Sequence, residues 1–181
     1  SVKVWNAQNK DIVSSLDEHE GIVYCIAMST LKTHPKVITA GQDRTIVVWN
    51  FYDSSVEAKF VSHEACIKHL KLTHDNEFIV SASEDNTIKF WSLNEKEPQA
   101  IELACEELGI SGVELPIDDS CFISSDKEGN VKVWNLSVEE ELKKTIWSDQ
   151  GTIFAMKIQN DEGVVLSIAE GSYKVWNCIC N

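Results

Sequence analysis

Histidine, a hydroxyl residue and aspartate recur along this sequence in the same order and at nearly the same spacing. His63, Ser81 and Asp85 form one set, and His19, Thr39 and Asp43 form another. These residue types are the parts of a hydrolytic triad, in which an imidazole takes the proton of an attacking hydroxyl and a carboxylate orients the ring. Three observations count against that chemistry. The nucleophile position holds Ser in one set and Thr in the other, the set returns within one chain, and no G-x-S-x-G turn is present to expose a serine. No catalytic residue is expected.

Other chemistry-bearing residues do not converge. Six cysteines lie at positions 25, 66, 105, 121, 178 and 180, none with the two-residue separation of a zinc knuckle or a thiol-redox motif. Cys25, Cys66 and Cys121 sit in the apolar runs VYCIAM, ACIKHL and SCFIS, where a thiol behaves as a small hydrophobe. Reduced thiols in a reducing compartment are expected. His34 and His74 fall in turn-like segments and His69 within an alternating run, so no metal ligand set is expected. The glycines form no phosphate-cradling loop, and no cofactor is expected. Asn135-Leu-Ser137 is a formal glycosylation sequon.

The chain has 181 residues, with 16 basic and 29 acidic side chains for a formal charge of −13. Residues 1–90 contribute −3 of that charge and residues 91–181 contribute −10. This balance disfavours nucleic acid and anionic membrane surfaces and favours basic protein partners. No apolar run is long enough to span a bilayer, and SVKVWNAQNK lacks the apolar stretch of a signal peptide. No membrane insertion is expected, and the expected location is the cytoplasm, with nuclear or cytoskeletal assemblies also open.

The elements that must hold the His and Asp sets are set by a repeat. Tryptophan falls at 5, 49, 91, 134 and 176, spaced by 44, 42, 43 and 42 residues. Each closes a similar phrase: SVKVWN, QDRTIVVWN, SEDNTIKFWS, KEGNVKVWN and AEGSYKVWN. Between Trp49 and Trp91 lie VEAKF, CIKHLKL, EFIVSA and TIKFW, separated by the turn formers Asp53-Ser54, Asp75-Asn76 and Asp85-Asn86. The period and its four strand-like runs predict an all-β propeller of four-stranded antiparallel blades, with about four repeats present. SVEEELKK, from Ser137, has a capped-helix start but falls at a third-to-fourth strand turn and is read as a loop.

The phrases resemble those of the WD-repeat family of β-propellers over nearly the whole chain. The resemblance implies a buried network linking His, Ser or Thr, Asp and Trp. It would comprise His19, Thr39, Asp43 and Trp49 in one blade and His63, Ser81, Asp85 and Trp91 in the next. Ser124 and Trp134 keep the hydroxyl and indole of a third set, and Trp176 keeps the indole of a fourth, where Leu166 stands at the hydroxyl position. Glu128 and Glu170 replace the turn Asp, and Glu106 and Asp149 stand where histidine is expected. The family's top-face positions map to Ile22, Tyr24 and Gln42, then Cys66, Lys68 and Glu84, then Gly109, Ser111 and Lys127, then Thr152, Phe154 and Ala169.

The expected division is a partial blade at 1–16, blades at about 17–61, 62–103 and 104–147, and an incomplete blade at 148–181. Both ends then supply a third strand, and the chain reads as part of a longer, seven-bladed ring. The implied function is a non-catalytic interaction scaffold within an intracellular assembly, with Tyr24 and Phe154 as anchors. The alternative is a binder of nucleic acid or lipid head groups through blades outside this chain. A basic residue two positions after the Trp dipeptide, expected of ligase-adaptor binders in the family, is absent.

Overall fold

A computed structural model describes residues 1–31, 33–94, 100–104, 109–116, 118–119, 121–135, 142–147, 151–159, 164–169 and 172–177. Among these residues the chain is all-β, with 17 strands and no helix. β1 (Val2–Trp5) and β2 (Ile12–Leu16) pair as a two-stranded antiparallel sheet. Three four-stranded antiparallel meanders follow. The first holds β3 (Val23–Met28), β4 (Lys36–Gly41), β5 (Thr45–Asn50) and β6 (Val56–Val61). The second holds β7 (Ile67–Leu72), β8 (Phe78–Ser83), β9 (Thr87–Ser92) and β10 (Ile101–Ala104). The third holds β11 (Ile110–Glu114), β12 (Cys121–Asp126), β13 (Asn130–Asn135) and β14 (Leu142–Trp147). β15 (Ile153–Gln159), β16 (Val164–Ala169) and β17 (Ser172–Asn177) form a three-stranded sheet.

Local sequence explains this repetition. Runs such as VITAG and TIVVWN are rich in β-branched residues that fit a pleated surface. The turn between second and third strands needs one residue in the left-handed region, and Arg44, Asn86 and Gly129 supply it at φ of 65°, 66° and 91°. Central strands alternate between two apolar faces rather than between core and water. Val37, Val47 and Trp49 face Leu16 of β2, whereas Ile38, Ala40, Ile46 and Val48 face Ile67, Leu70, Ile79 and Trp91 of the next sheet. Val80, Ala82, Ile88 and Phe90 then pack on Val113, Leu115, Phe122 and Trp134. Ile123, Val131 and Val133 pack on Ile153, Met156, Ile158 and Val165. The sheets are therefore stacked face to face. Their first strands converge, with β3 against β7, β7 against β11 and β11 against β15, which is the blade arrangement of a propeller.

Two sequence expectations are corrected. Leu142–Lys144 of the SVEEELKK segment open β14, because a fourth strand must pair along β13 from Trp134 back to Asn130; residues 137–141 lie outside the described residues. Cys25 and Cys66 are free thiols, but Cys121 is disulfide-bonded, so uniformly reduced cysteines do not describe the chain. Cys66 also precedes β7 rather than lying within it. No helix of the described residues is long and apolar enough to cross a membrane.

Candidate functional site

In the second meander, β8 and β9 and the two connections at one sheet end bring His63, Ser81, Asp85 and Trp91 together. The Asp85 carboxylate only accepts, so the His63 Nδ1 that lies 2.8 Å from it carries the ring proton. In the neutral ring Nε2 is then an acceptor, and the Ser81 hydroxyl donates to it across 2.8 Å. The Trp91 indole N–H donates in turn to Ser81 Oγ at 2.8 Å. The result is a relay from indole to hydroxyl to imidazole to carboxylate. The first meander repeats it: Trp49 to Thr39 at 2.8 Å, Thr39 to His19 at 2.7 Å, and His19 to Asp43 at 2.8 Å. The backbone N–H groups of Glu20 and Glu64 close the loops onto the same carboxylates, at 3.0 and 2.8 Å.

Sequence reasoning missed two members. Thr45 and Thr87 follow each turn Asp by two residues, and their hydroxyls lie 3.3 and 3.1 Å from the His19 and His63 Nδ1 atoms. The spacing D-R-T and D-N-T was the available signal.

The third meander keeps half the relay and replaces the rest. Trp134 donates to Ser124 Oγ at 2.8 Å. With Glu128 at the turn, Asp126 at the end of β12 does the tying instead. Its Oδ1 accepts from the Asn130 and Glu128 backbone N–H groups at 2.9 and 3.0 Å, and its Oδ2 accepts from the Asn130 amide at 2.7 Å. Glu106 lies outside the described residues.

In the three-stranded sheet, strand register corrects the sequence alignment. Thr39, Ser81 and Ser124 pair with Val47, Lys89 and Lys132, and the residue that pairs with Lys174 is Ser167, not Leu166. Ser167 is fully buried. Ser167 precedes Trp176 by nine residues, whereas Thr39, Ser81 and Ser124 each precede their tryptophan by ten, so the tryptophan spacing alone points to Leu166. Asp149 and Glu170, and the side chains of Leu166 and Trp176, lie outside the described residues.

Charge within the relay is pH-sensitive. Burial alone would raise the Asp85 carboxyl, but hydrogen bonds from Thr87, Glu64 and His63 outweigh it and hold the group well below the ordinary range; Asp43 is lowered by the corresponding bonds from His19, Glu20 and Thr45. Burial holds His63 below its ordinary value, against the pull of Asp85. A histidine with a lowered folded-state pKa costs stability as pH falls through its unfolded value near 6.5. A depressed Asp costs stability as pH falls below 3.8. The denaturant midpoint should therefore drop in two stages on acidification, and Asp85→Asn should shrink the lower stage. A profile flat from neutrality to pH 4.5 would contradict the neutral, buried His63. Cys25 adds nothing in this window, since burial pushes its thiol up to about 12.

The sheet end that carries these turns also holds the expected top-face residues. Every first strand of the four larger sheets has a register break there, between Val23 and Cys25, Ile67 and His69, Ile110 and Gly112, and Ile153 and Ala155. The residues at the breaks are Tyr24, Lys68, Ser111 and Phe154. Ile22, Tyr24 and Gln42 are exposed. The Lys68 ammonium lies 3.4 Å from the centre of the Tyr24 ring and 3.4 Å from Glu84. Gln42 Oε1 accepts from the Ile22 N–H at 3.2 Å. A Cβ on Gly41 would sit 2.2 Å from the Ile22 carbonyl oxygen, so glycine there lets this edge close. The Lys127 side chain folds over Gly109, and its carbonyl accepts from the Thr152 hydroxyl at 2.7 Å. Ser111 Oγ lies 2.9 Å from Ser125 Oγ. Ala169 is buried, which corrects its placement on the exposed face; it lies on the opposite face of β16 from the exposed Ile168. The Phe154 side chain lies outside the described residues.

Comparison with known proteins agrees with this geometry where the relays are complete. The family model "WD domain, G-beta repeat" matches residues 10–50 and 54–92. These two stretches are similar to WD repeats. They carry the two full relays, and the matched segments stop before the sheets in which Glu128 and Glu170 replace the turn Asp. Three relatives are similar over about half the chain. Nuclear distribution protein PAC1 of Komagataella phaffii is 27% identical over 96 residues, 51% of this chain and 19% of that protein. Mitochondrial division protein 1 of Eremothecium gossypii is 30% identical over 102 residues, 52% of this chain and 14% of that protein. Small ribosomal subunit protein RACK1 of Dictyostelium discoideum is 29% identical over 87 residues, 45% of this chain and 26% of that protein. The chain therefore spans about a quarter or less of the length of these relatives.

Proposed function

We propose that this WD-repeat chain is a non-catalytic docking platform within a multiprotein assembly, and that its partners engage the sheet end bearing Ile22, Tyr24, Gln42, Lys68, Glu84, Lys127 and Phe154. The repeated bulge carries the reading. One backbone device recurs in each first strand, while the residue at the break changes from Tyr to Lys to Ser to Phe, which is how a fixed scaffold presents a variable surface. The triad-like atoms support it from the other side. Ser81 is fully buried, and its oxygen already receives the Trp91 indole proton, so an acyl substrate has no approach. The relatives' names, a nuclear distribution protein, a mitochondrial division protein and a ribosomal subunit protein, point to no common reaction. The acidic balance favours partners with basic surfaces, and the cytoplasm is the location that suits such an assembly.

The test is affinity capture with Tyr24→Ala and Ile22→Asp, using Tyr52→Ala, an exposed ring at the opposite sheet end, as control. The top-face variants should weaken recovery of the same partners by about 30-fold, the scale of a hot-spot anchor, without lowering the melting temperature. Equal recovery with all three variants would remove this surface from the function.

A further inference from the structure

Lys89 is a lysine buried inside the sheet stack, 5% exposed, on β9 opposite Ser81. It meets the second relay at both ends of the residue. Its backbone carbonyl is a second acceptor beside the Ser81 hydroxyl, at 3.4 Å. Its ammonium donates to the Ser62 carbonyl at 2.8 Å, lies 3.2 Å from Ser62 Oγ, and pairs with Glu102 of β10 at 2.7 Å. Ser62 directly precedes His63 in the crossover that joins β6 of the first meander to β7 of the second. A buried ammonium is tolerated only when its donors are used, and these three partners use them.

The first meander completes its relay without such a residue. Val47 is the register equivalent, opposite Thr39, and the residue before His19 is Glu18, whose carboxylate meets Lys59 at 3.5 Å on the surface. A lysine at this position is therefore not needed to assemble the hydrogen bonds of a relay. Its effect is on charge.

Two basic groups share one crossover, and the relay requires one of them to stay uncharged. His63 Nε2 must accept from Ser81, and a protonated ring has no acceptor. A cation fixed on Ser62 opposes a second cation on the adjoining residue. The charged groups acting on the ring come from the elements around it: Asp85 from the turn between β8 and β9, Lys89 from β9 and Glu102 from β10. Glu64, next along the crossover, is exposed. Burial is the largest influence and favours the neutral ring; Asp85 and Glu102 act against it, and Lys89 acts with it.

We infer that Lys89 is a positioning residue for the second relay: by placing a positive charge on Ser62 it keeps the neighbouring His63 imidazole neutral and open to Ser81, and Glu102 moderates that effect. The outermost strand of the meander, β10, thereby influences a relay to which it contributes no hydrogen bond.

An NMR titration of the intact chain, following the His63 ring C–H and the Trp91 indole N–H signals, tests this. Lys89→Met should move the His63 midpoint to higher pH, Glu102→Gln should move it to lower pH, and Lys89→Arg, which keeps a cation, should leave it at the parental value. The Trp91 signal should change with the same midpoint in each variant, because loss of the Nε2 acceptor reorients the Ser81 hydroxyl that receives the indole proton. Lys36→Met removes a lysine paired with Glu57 at 3.2 Å, away from this relay, and should leave the midpoint in place. Midpoints of Lys89→Met and Glu102→Gln that coincide with the parent's would overturn the proposal. So would a shift of both in one direction, the signature of loosened packing rather than of charge. If Lys89→Met does not fold, Glu102→Gln decides alone: a downward shift supports the proposal, and no shift or an upward one overturns it.

Discussion

Trp91→Ala should lower the unfolding free energy by about 3–5 kcal/mol, the range for removing a buried large aromatic. The ring lies where two sheets meet. It stacks on Phe60 of the preceding sheet with centroids 5.2 Å apart, and it packs among Ile38, Ala40, Ile46 and Val48 across the interface. Its indole N–H is also the first donor of the relay, so the substitution opens a cavity and leaves Ser81 Oγ short of a partner. Trp91→Phe separates the two contributions by keeping most of the volume and deleting the donor, and should cost about 1–3 kcal/mol. Denaturant unfolding read by far-UV circular dichroism checks both. If the Phe variant is as stable as the parent, the indole hydrogen bond contributes nothing net.

His63→Ala should cost roughly 1–3 kcal/mol through a different route, since it leaves two groups of a buried network unsatisfied. Asp85 would lose its ring partner while keeping the Glu64 and Thr87 N–H groups, and Ser81 would have to turn its proton toward the Lys89 carbonyl, 3.4 Å away. The variant should also lose the upper stage of the acid profile, because that stage belongs to the imidazole. Measured between pH 5 and 8, the midpoint difference between parent and variant should narrow as pH falls. A difference constant across that range would mean that His63 acts only by filling space.

The sequence made the blades legible through tryptophan because that residue is fixed by two demands at once, an inter-sheet cavity that needs its volume and a hydroxyl that needs its N–H. The relays of the first two meanders were legible for a related reason. Hydroxyl, Asp and Trp sit on elements whose lengths do not vary between Thr39 and Trp49 or between Ser81 and Trp91. Where a length varies, counting fails. One residue fewer before β17 hid Ser167 behind Leu166, and only backbone register recovers it. Asp126 was invisible because its role is an exchange of chemistry, in which a strand-end carboxylate holds Asn130 after the turn Asp has become Glu128. The burial of Ala169 could not be read either, since which face of β16 is covered depends on residues distant in sequence.

Neighbouring sheets are attached at three heights along their convergent first strands. At the turn end opposite the relays, Thr30 and Asn76 exchange two hydrogen bonds of 3.0 Å, and Asp119 accepts from His74 and from the Asp75 N–H at 3.1 and 3.0 Å. Midway, Lys71 meets Glu114 at 2.8 Å. At the relay end, the Gly109 N–H donates to Asn86 at 3.0 Å, and Lys68 covers Tyr24. Attachments in a line behave as the knuckles of a door hinge. They forbid one sheet to slide or tilt against the next, and rotation about the line itself is opposed by the inter-sheet layer, in which Phe60 of the outer strand β6 stacks on Trp91. Polar ties near the line and apolar packing away from it thus divide the work of holding each sheet at its angle to the next.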